Sequence, residues 1–214
     1  MPLHISHSTK SVRIRPQNRD ELRSIIKTEI ERQGPDADLN FIDTSEITSM
    51  NALFVGIIIR NIKIDEWDTS NVTDMSWMFE SCVDFNAVLS SWDTSHCKNM
   101  SAMFWDCKVF NCDLSGWDVS NVNSMSDMFR GCTKFNSDLS SWNVHKVIRT
   151  DRMFQDCKEF DSDLSSWDVS NVINNTWMFA GCDKHTPEHI PNRTGTLVFE
   201  SPIWTQPIPI VDFK

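Results

Sequence analysis

Proline is missing from the long central part of the chain, where none of the eight prolines lies between Pro35 and Pro187. Because proline cannot donate to a ladder of backbone hydrogen bonds, this gap is typical of a segment whose backbone is paired throughout. Long apolar runs are missing as well, since the longest, residues 54–59, is far below the ~20 residues needed to span a bilayer. The sequence therefore predicts no membrane insertion.

Basic residues are also scarce, with 20 Lys and Arg against 30 Asp and Glu and a formal net charge of −10. This balance argues against a phosphate-binding surface, so we expect no nucleic-acid partner. The six glycines form no phosphate loop, and no nucleophile, base and orienting group stand at catalytic spacing, so we expect no enzyme activity. No Cys-x-x-Cys pair occurs among the seven cysteines, so we expect no metal site and no cofactor. The N-terminus lacks the apolar segment of an export signal, which favours a cytoplasmic or other intracellular location over the cell surface.

One 25-residue pattern fills the central part of the chain, and residues at the same place in successive repeats are here called a column. A constant period without insertions is typical of stacked repeats. Because five of the seven cysteines form one column, we interpret these five as reduced packing residues of the core. The tryptophan column contains Trp67, Trp92, Trp117, Trp142 and Trp167, and the cysteine column contains Cys82, Cys107, Cys132, Cys157 and Cys182.

Each repeat predicts one short strand and one short helix. Trp117 and Val119 alternate about a polar residue, as a strand with one inward face requires. The predicted fold is an α/β repeat solenoid, a leucine-rich-repeat-like stack of short parallel strands and short helices. The predicted helix follows the i, i+3, i+4, i+7 spacing of an amphipathic helix, as in Met75, Met78, Phe79 and Cys82.

The sequence predicts a cap at each end of the repeats. Residues 1–38 are interpreted as an N-terminal arm and a capping helix, residues 39–182 as the repeat solenoid, and residues 183–214 as the C-terminal cap. Asn18 and Glu21 resemble a capping box at the start of the helix, and Gly34 with Pro35 ends it. The segment 196–200 is rich in strand-forming residues, which predicts a closing strand.

Three runs of sequence resemble one known family. They are Asp-Leu-Ser-Ser-Trp-Asp-Val-Ser-Asn-Val from Asp163, Met-Ser-x-Met-Phe-x-Gly-Cys from Met125, and Phe-Asn from Phe135. Over about residues 39–182 the chain resembles the BspA-like leucine-rich-repeat surface proteins. The resemblance implies a right-handed solenoid with a parallel sheet on one side, used for binding and without a shared catalytic site. We therefore expect a non-catalytic protein-binding or assembly scaffold, with a surface adhesin for extracellular ligands as the alternative.

Three tryptophans outside the repeating column are predicted to mark a binding face. If the predicted helix points its Met and Phe residues inward, Trp77 and Trp177 lie on its outer side, and Trp105 stands in a column of variable character. Exposed tryptophans are unusual on a monomer and common at interfaces, so the expected partner is another protein or a larger assembly. The alternative is that the caps fold back over Trp77 and Trp177.

Two charged groups provide further candidate sites. The acidic column contains Asp68, Asp93, Asp118 and Asp168. Its members either cap neighbouring backbone turns or bind a cationic ligand or a basic partner segment. The basic cluster contains His145, Lys146, Arg149 and Arg152. It is either a solvated surface or a contact for an acidic partner.

Overall fold

The computed structural model describes residues 13–191 of the chain. Within that range the regular elements are helix α1, Arg19–Gln33, and a 3-10 turn at Pro187–His189. The rest of the described backbone forms successive turns that stack with the 25-residue period. Isolated parallel bridges join neighbouring repeats, as between Asp74 and Asn99. The predicted closing strand at 196–200 and most of the predicted C-terminal cap lie outside the described residues.

The predicted α/β solenoid of stacked short strands and short helices is wrong. At the predicted strand, the Trp92 N–H donates to the Leu89 carbonyl at 3.1 Å, and the Cys97 N–H donates to the Thr94 carbonyl at 2.9 Å. A bond to the residue three positions earlier closes a tight turn, whereas a strand directs its N–H groups to a neighbouring strand. Trp92 and Thr94 are both buried as predicted, but two consecutive turns produce that alternation.

Turns also replace the predicted helix. Trp77 and Ser81 have φ values of 61° and 60°, in the left-handed region that a right-handed helix excludes. The Cys82 N–H closes a turn on the Phe79 carbonyl at 3.0 Å, whereas the Trp77 N–H donates to the Ser101 carbonyl of the next repeat at 2.9 Å. Hydrogen bonds within the repeat and hydrogen bonds to the next repeat therefore alternate along this segment. The apolar residues have the spacing of a helix, although the backbone forms turns.

Columns of aromatic rings fill the interior of the stack. Phe79 and Phe104 have ring centroids 5.6 Å apart and planes 6° from parallel, and both side chains are fully buried. Trp92 and Trp117 stack in the same way at 6.5 Å. The Trp117 indole N–H donates to the Leu89 carbonyl at 3.0 Å, so the polar edge of the buried ring has a partner.

All seven cysteines are free thiols, and those of the cysteine column pack inside the stack or at its edge. The Cys132 Sγ lies 2.9 Å from the Phe104 carbonyl oxygen, to which it donates. Burial raises the pKa of Cys132 well above its usual range, because a buried thiolate lacks solvation. The column therefore behaves as a row of small core residues, as the sequence predicts.

Helix α1 begins and ends where the sequence predicts. The Asn18 side chain accepts hydrogen bonds from the N–H groups of Asp20 and Glu21, each at 3.0 Å, which is the usual way to satisfy the first turn. Gly34 follows the last helical residue with φ 87°. Leu22 and Ile26 are fully buried and belong to the same core cluster as the repeats.

Two arginines of α1 complete the first repeat. In the interior of the stack, carbonyls equivalent to those of Asn51, Leu53 and Val55 accept N–H groups from the preceding repeat. Here Arg19 Nε donates to the Asn51 carbonyl at 2.8 Å, and Arg23 donates to the carbonyls of Leu53 and Val55. The guanidinium groups therefore substitute for the missing layer and satisfy acceptors at the edge of the stack.

The part of the chain that the structure describes contains no helix long and apolar enough to cross a membrane.

Candidate functional site

A partly exposed aromatic surface, here called the aromatic ridge, is formed by the exposed Trp77 and the half-buried Trp105 and Arg130. The rings of Trp77 and Trp105 have centroids 5.6 Å apart and are tilted by 53°. The Arg130 guanidinium carbon lies 4.8 Å from the centroid of Trp105, within the range of a cation–π contact. Trp77 is 41% exposed. Two tryptophans from different columns and one cation thus present a continuous apolar and cationic surface.

The backbone of the stack fixes the position of the ridge. Trp77 occupies a left-handed position at which Ala102 also has a positive φ, so the two residues share one backbone conformation, although Ala102 is buried. The Trp105 N–H donates to the Ala102 carbonyl at 3.2 Å, and the Trp105 carbonyl accepts the Ser81 N–H at 2.7 Å. Both tryptophans are therefore attached to backbone that is hydrogen-bonded within its own repeat and to the neighbouring one.

Trp177 belongs to the column of Trp77 but lies four repeats further along the chain. At about 4.8 Å per stacked layer, the two residues are separated by roughly 19 Å. Trp177 is 44% exposed. The alternative prediction requires a cap to cover Trp77 and Trp177, but within residues 13–191 both side chains remain exposed. The structure brings Trp77 and Trp105 together and places Trp177 apart from them.

The residues of the acidic column each hydrogen-bond to their own turn. Hydrogen bonds from the side chain and backbone of Ser95 lower the pKa of Asp93. Ser170, with His145, lowers the pKa of Asp168 to about 2. This geometry favours the interpretation of the column as turn caps over that of a ligand site. One oxygen of Asp68, Asp93, Asp118 and Asp168 accepts the N–H of the serine two residues later, at 2.9–3.0 Å.

The members of the basic cluster all have acceptors. Asp127 accepts hydrogen bonds both from Arg152 of the cluster and from Arg130 of the aromatic ridge, the latter at 3.2 Å. The basic cluster is therefore continuous with the aromatic ridge. Arg149 and Arg152 are therefore ion-paired, whereas Lys146 donates to a neutral amide. The same set of contacts brings His145 and Asp168 together. The pairs are His145 with Asp168 at 2.7 Å, Lys146 with Asn121 at 2.6 Å, Arg149 with Asp151 at 3.1 Å, and Arg152 with Asp127 at 3.1 Å.

A further cluster lies at the C-terminal end of the stack and joins Asp161, His185 and His189. One ligand-type atom from each residue lies within 4.8 Å of the other two. His189 Nδ1 and Asp161 Oδ1 are 3.1 Å apart. Burial, followed by repulsion from His189, lowers the pKa of His185 to about 4, so its ring is neutral at physiological pH. The sequence analysis did not identify this cluster.

The repeat itself contains the signal that could have identified the cluster. His185 stands in a column that is phenylalanine in the four preceding repeats, next after Phe160, and Asp161 follows Asn136 in a column that is asparagine in the preceding repeats. A polar ring in an apolar column and a charge in a neutral one are departures that packing alone does not require. The two changes occur in neighbouring repeats, which places them side by side.

The fold and these surfaces define a repeat protein whose described residues form stacked 25-residue turns, with ion pairs along its sides and a partly exposed aromatic ridge. The family model described as "Mycoplasma protein of unknown function, DUF285" matches residues 25–126 and 90–191. The chain therefore belongs to the DUF285 family, a repeat family without an assigned function. No curated protein and no solved structure matches the chain. The resemblance to BspA-like surface proteins in particular stays a prediction.

Proposed function

We propose that the chain is a non-catalytic scaffold that binds another protein, or a larger assembly, through the aromatic ridge. The observation that carries this proposal is the contact between the exposed Trp77 and the half-buried Trp105, with Arg130 over the Trp105 ring. The tryptophan column is, in contrast, almost completely buried; Trp117, for example, is 4% exposed. Core packing therefore explains the tryptophan column and does not explain the ridge.

The chemistry of the ridge suits protein recognition. Tryptophan and arginine are the residues most often found to dominate interface energies, and they do so from clustered positions. An offset tryptophan pair offers a wide apolar area, and Arg130 adds donors at its edge. A partner with an apolar or aromatic anchor flanked by acceptors fits this surface.

The rigidity of the backbone favours binding as well. Trp77 and Phe79 each donate an N–H to the next repeat at 2.9 Å, so the ridge does not need to be ordered when a partner arrives. Association then loses less conformational entropy than it would with a mobile loop. The left-handed φ of 61° at Trp77 is unusual for a bulky residue, and such a conformation is retained in proteins mainly where structure or function depends on it.

The test requires a partner and three matched substitutions. Proteins captured from the native source with the wild-type chain are identified, and the dissociation constant of the best candidate is measured for Trp77→Ala, Trp105→Ala and Trp177→Ala. We expect at least about 30-fold weaker binding for one of the two ridge variants, which corresponds to about 2 kcal/mol. Trp177→Ala removes a tryptophan of similar exposure from the same column, and it should bind as the wild type does.

Equal binding by all three variants would remove the ridge from consideration and leave the acidic column as the next surface to test. Labelling of intact cells with an impermeant reagent addresses the alternative of a surface adhesin, because an adhesin must be labelled and a scaffold inside the cell must not be. Circular dichroism of each variant checks that the fold is retained.

A further inference from the structure

His185 is the fifth member of an aromatic column whose four earlier members are phenylalanine. Its ring stacks 4.2 Å from the ring of Phe179 and 5.4 Å from that of Phe160, and the residue is only 7% exposed. Both ring nitrogens are buried and hydrogen-bond to none of the described residues. Phenylalanine fills the same place in the preceding repeats without buried polar atoms, so a ring stack alone does not account for an imidazole here.

Asp161 departs from its column in the neighbouring repeat. In the preceding repeats an asparagine Oδ1 accepts an N–H from the next repeat; Asn111 N–H, for example, donates to Asn86 Oδ1 at 2.9 Å. Asp161 still donates its own N–H to Asn136 at 2.8 Å. Its carboxylate, however, faces His189 Nδ1 at 3.1 Å. The change from amide to carboxylate therefore brings a negative charge to the two histidines.

The backbone holds His189 in place beside Asp161. His189 ends the 3-10 turn at Pro187–His189, and its N–H donates to the Thr186 carbonyl at 3.1 Å. Its own carbonyl accepts the Leu164 N–H at 2.9 Å. In earlier repeats the equivalent of that N–H is satisfied by a side chain, as when Leu139 N–H donates to Ser162. The turn thus attaches His189 to the last repeat through backbone bonds.

We propose that Asp161, His185 and His189 bind a divalent transition-metal ion of the zinc class. Two imidazoles and one carboxylate are a common set of zinc ligands, and three protein ligands leave a fourth position for water or a partner group. The three ligand atoms lie within 4.8 Å of one another, so a central point is at most about 2.8 Å from each, against the 2.0–2.2 Å of zinc bonds. Side-chain rotations of less than about 1 Å close that difference.

The ion would satisfy the one buried imidazole that has no partner among the described residues. It would also replace the hydrogen bond between His189 and Asp161 with two metal bonds, which requires both rings to be neutral. Because the ligands come from the last two repeats and the turn that follows, binding would join the end of the stack to that turn. The site is independent of the aromatic ridge and of the proposed scaffold function.

Zinc titration of the full-length chain tests the proposal directly. Untagged protein is treated with a chelator, dialysed, and titrated with Zn²⁺ in a calorimeter, and its melting temperature is measured with and without the ion. We expect one dominant site per chain and a rise in melting temperature on addition of zinc. Co²⁺ serves as a second probe, because its visible absorption reports a tetrahedral site with nitrogen and oxygen ligands.

Three ligand variants and one control assign the site. His185→Phe restores the residue type of its column, so we expect it to fold, while its zinc affinity falls by at least about tenfold. Asp161→Asn and His189→Gln should lose affinity to a similar degree. His145→Gln is the matched control, because His145 also contacts a carboxylate, that of Asp168 at 2.7 Å, but belongs to no three-ligand group among the described residues. It should bind zinc as the wild type does.

Two results would overturn the proposal. One is a wild-type chain that shows no saturable zinc binding at millimolar concentration. The other is a His185→Phe variant that binds zinc as tightly as the wild type, since His185 then serves only as the last ring of its stack. In either case the cobalt spectrum should show no bands that depend on His185.

Discussion

Truncation of one central tryptophan provides the most direct test of the stacked core. Trp117 is 4% exposed, stacks on Trp92 at 6.5 Å, and lies 6.2 Å from Phe104. Trp117→Ala removes these contacts, and large aromatic truncations in well-packed cores cost about 3 to 5 kcal/mol. It also removes one of the two donors to the Leu89 carbonyl, the indole N–H at 3.0 Å, and leaves the Trp92 N–H at 3.1 Å. A domain of this size has only about 5 to 15 kcal/mol of total stability, so we expect a large loss.

Two companion variants divide this effect into its parts. Trp117→Phe keeps an aromatic ring but removes the indole N–H. The Leu89 carbonyl still accepts the Trp92 N–H, so the lost hydrogen bond should cost about 0.5 to 1.5 kcal/mol, with an addition from lost ring area. Trp77→Ala makes the same chemical change at an exposed position whose column already contains Ala52 and Ala102. We expect it to stay within about 0.5 kcal/mol of the wild type.

Urea unfolding followed by circular dichroism measures all three variants, since tryptophan fluorescence would change with the substitutions themselves. With an m-value near 2 kcal/mol/M, the expected loss for Trp117→Ala lowers the midpoint by roughly 1.5 to 2.5 M. The m-value must be unchanged for this conversion to hold. If Trp117→Ala costs less than about 1 kcal/mol, or no more than Trp77→Ala does, the argument that stacked rings stabilise the core fails.

Three further predictions concern the backbone, the charges and the thiols. Gly131→Ala should destabilise the protein by more than about 1 kcal/mol in the same urea assay, because φ is 71° at Gly131. The loss should exceed that of Gly56→Ala, because a Cβ at Gly131 meets Asp106 Oδ1, whereas a Cβ at Gly56 meets nothing within 4 Å. Hydrogen bonds from Ser45 and Arg15 lower the pKa of Asp43 to about 2. The contribution of Asp43 to folding stability is therefore present above about pH 4 and is lost as the pH falls toward 2. Asp43→Asn should flatten the dependence of the unfolding free energy on pH between those values, and an unchanged slope would contradict this assignment. In the native state at pH 8 a chromogenic thiol reagent should react fastest with the half-buried Cys112, and the full count of seven thiols should be reached only after unfolding. Rapid reaction of all seven in the native state would contradict the buried column.

Much of the core is readable from the sequence, because a strict period identifies which residues share an environment. The Trp, Phe and Cys columns are buried as their apolar character predicts, and Phe104 and Cys132 show no exposure at all. The start of α1 at Asn18 and its end at Gly34 also follow from the chemistry of helix termini. These features depend on local chemistry and on repetition, both of which a single sequence contains.

The type of backbone element is not readable from apolar spacing alone. Two consecutive turns bury residues at the same i, i+3, i+4, i+7 positions as a short helix, so Met75 to Cys82 fits either one. A distinguishing signal does exist in the column of Ser81, where Asp106, Gly131 and Gly181 also have positive φ values. Glycine, aspartate and serine recurring at one place are typical of left-handed turn positions. That pattern argues against a helix even though the apolar stripe favours one.

The geometry of the candidate sites is readable from the sequence only in part, for a related reason. The outward direction of Trp77 and Trp177 follows from the repeat, but their separation depends on how many layers lie between them. The pairing of Arg152 with Asp127 at 3.1 Å joins residues 25 positions apart, and the sequence does not show which of several nearby carboxylates a long side chain selects. Each of these outcomes depends on contacts between layers rather than within one.

Backbone hydrogen bonds join each layer to the next, for the most part between residues 24 or 25 positions apart. The height of the stack is therefore proportional to the number of repeats. Duplication of 25 residues would insert one complete layer, about 4.8 Å thick, and leave every other layer with the neighbours it has now. An insertion between Trp92 and Trp117 whose length is not a multiple of 25 would shift the two rings out of line and disrupt the columns from that point onward. Evolution can therefore change the distance between the arginine-capped end and the histidine-containing end in equal steps, by recombination between copies and without redesign of the core.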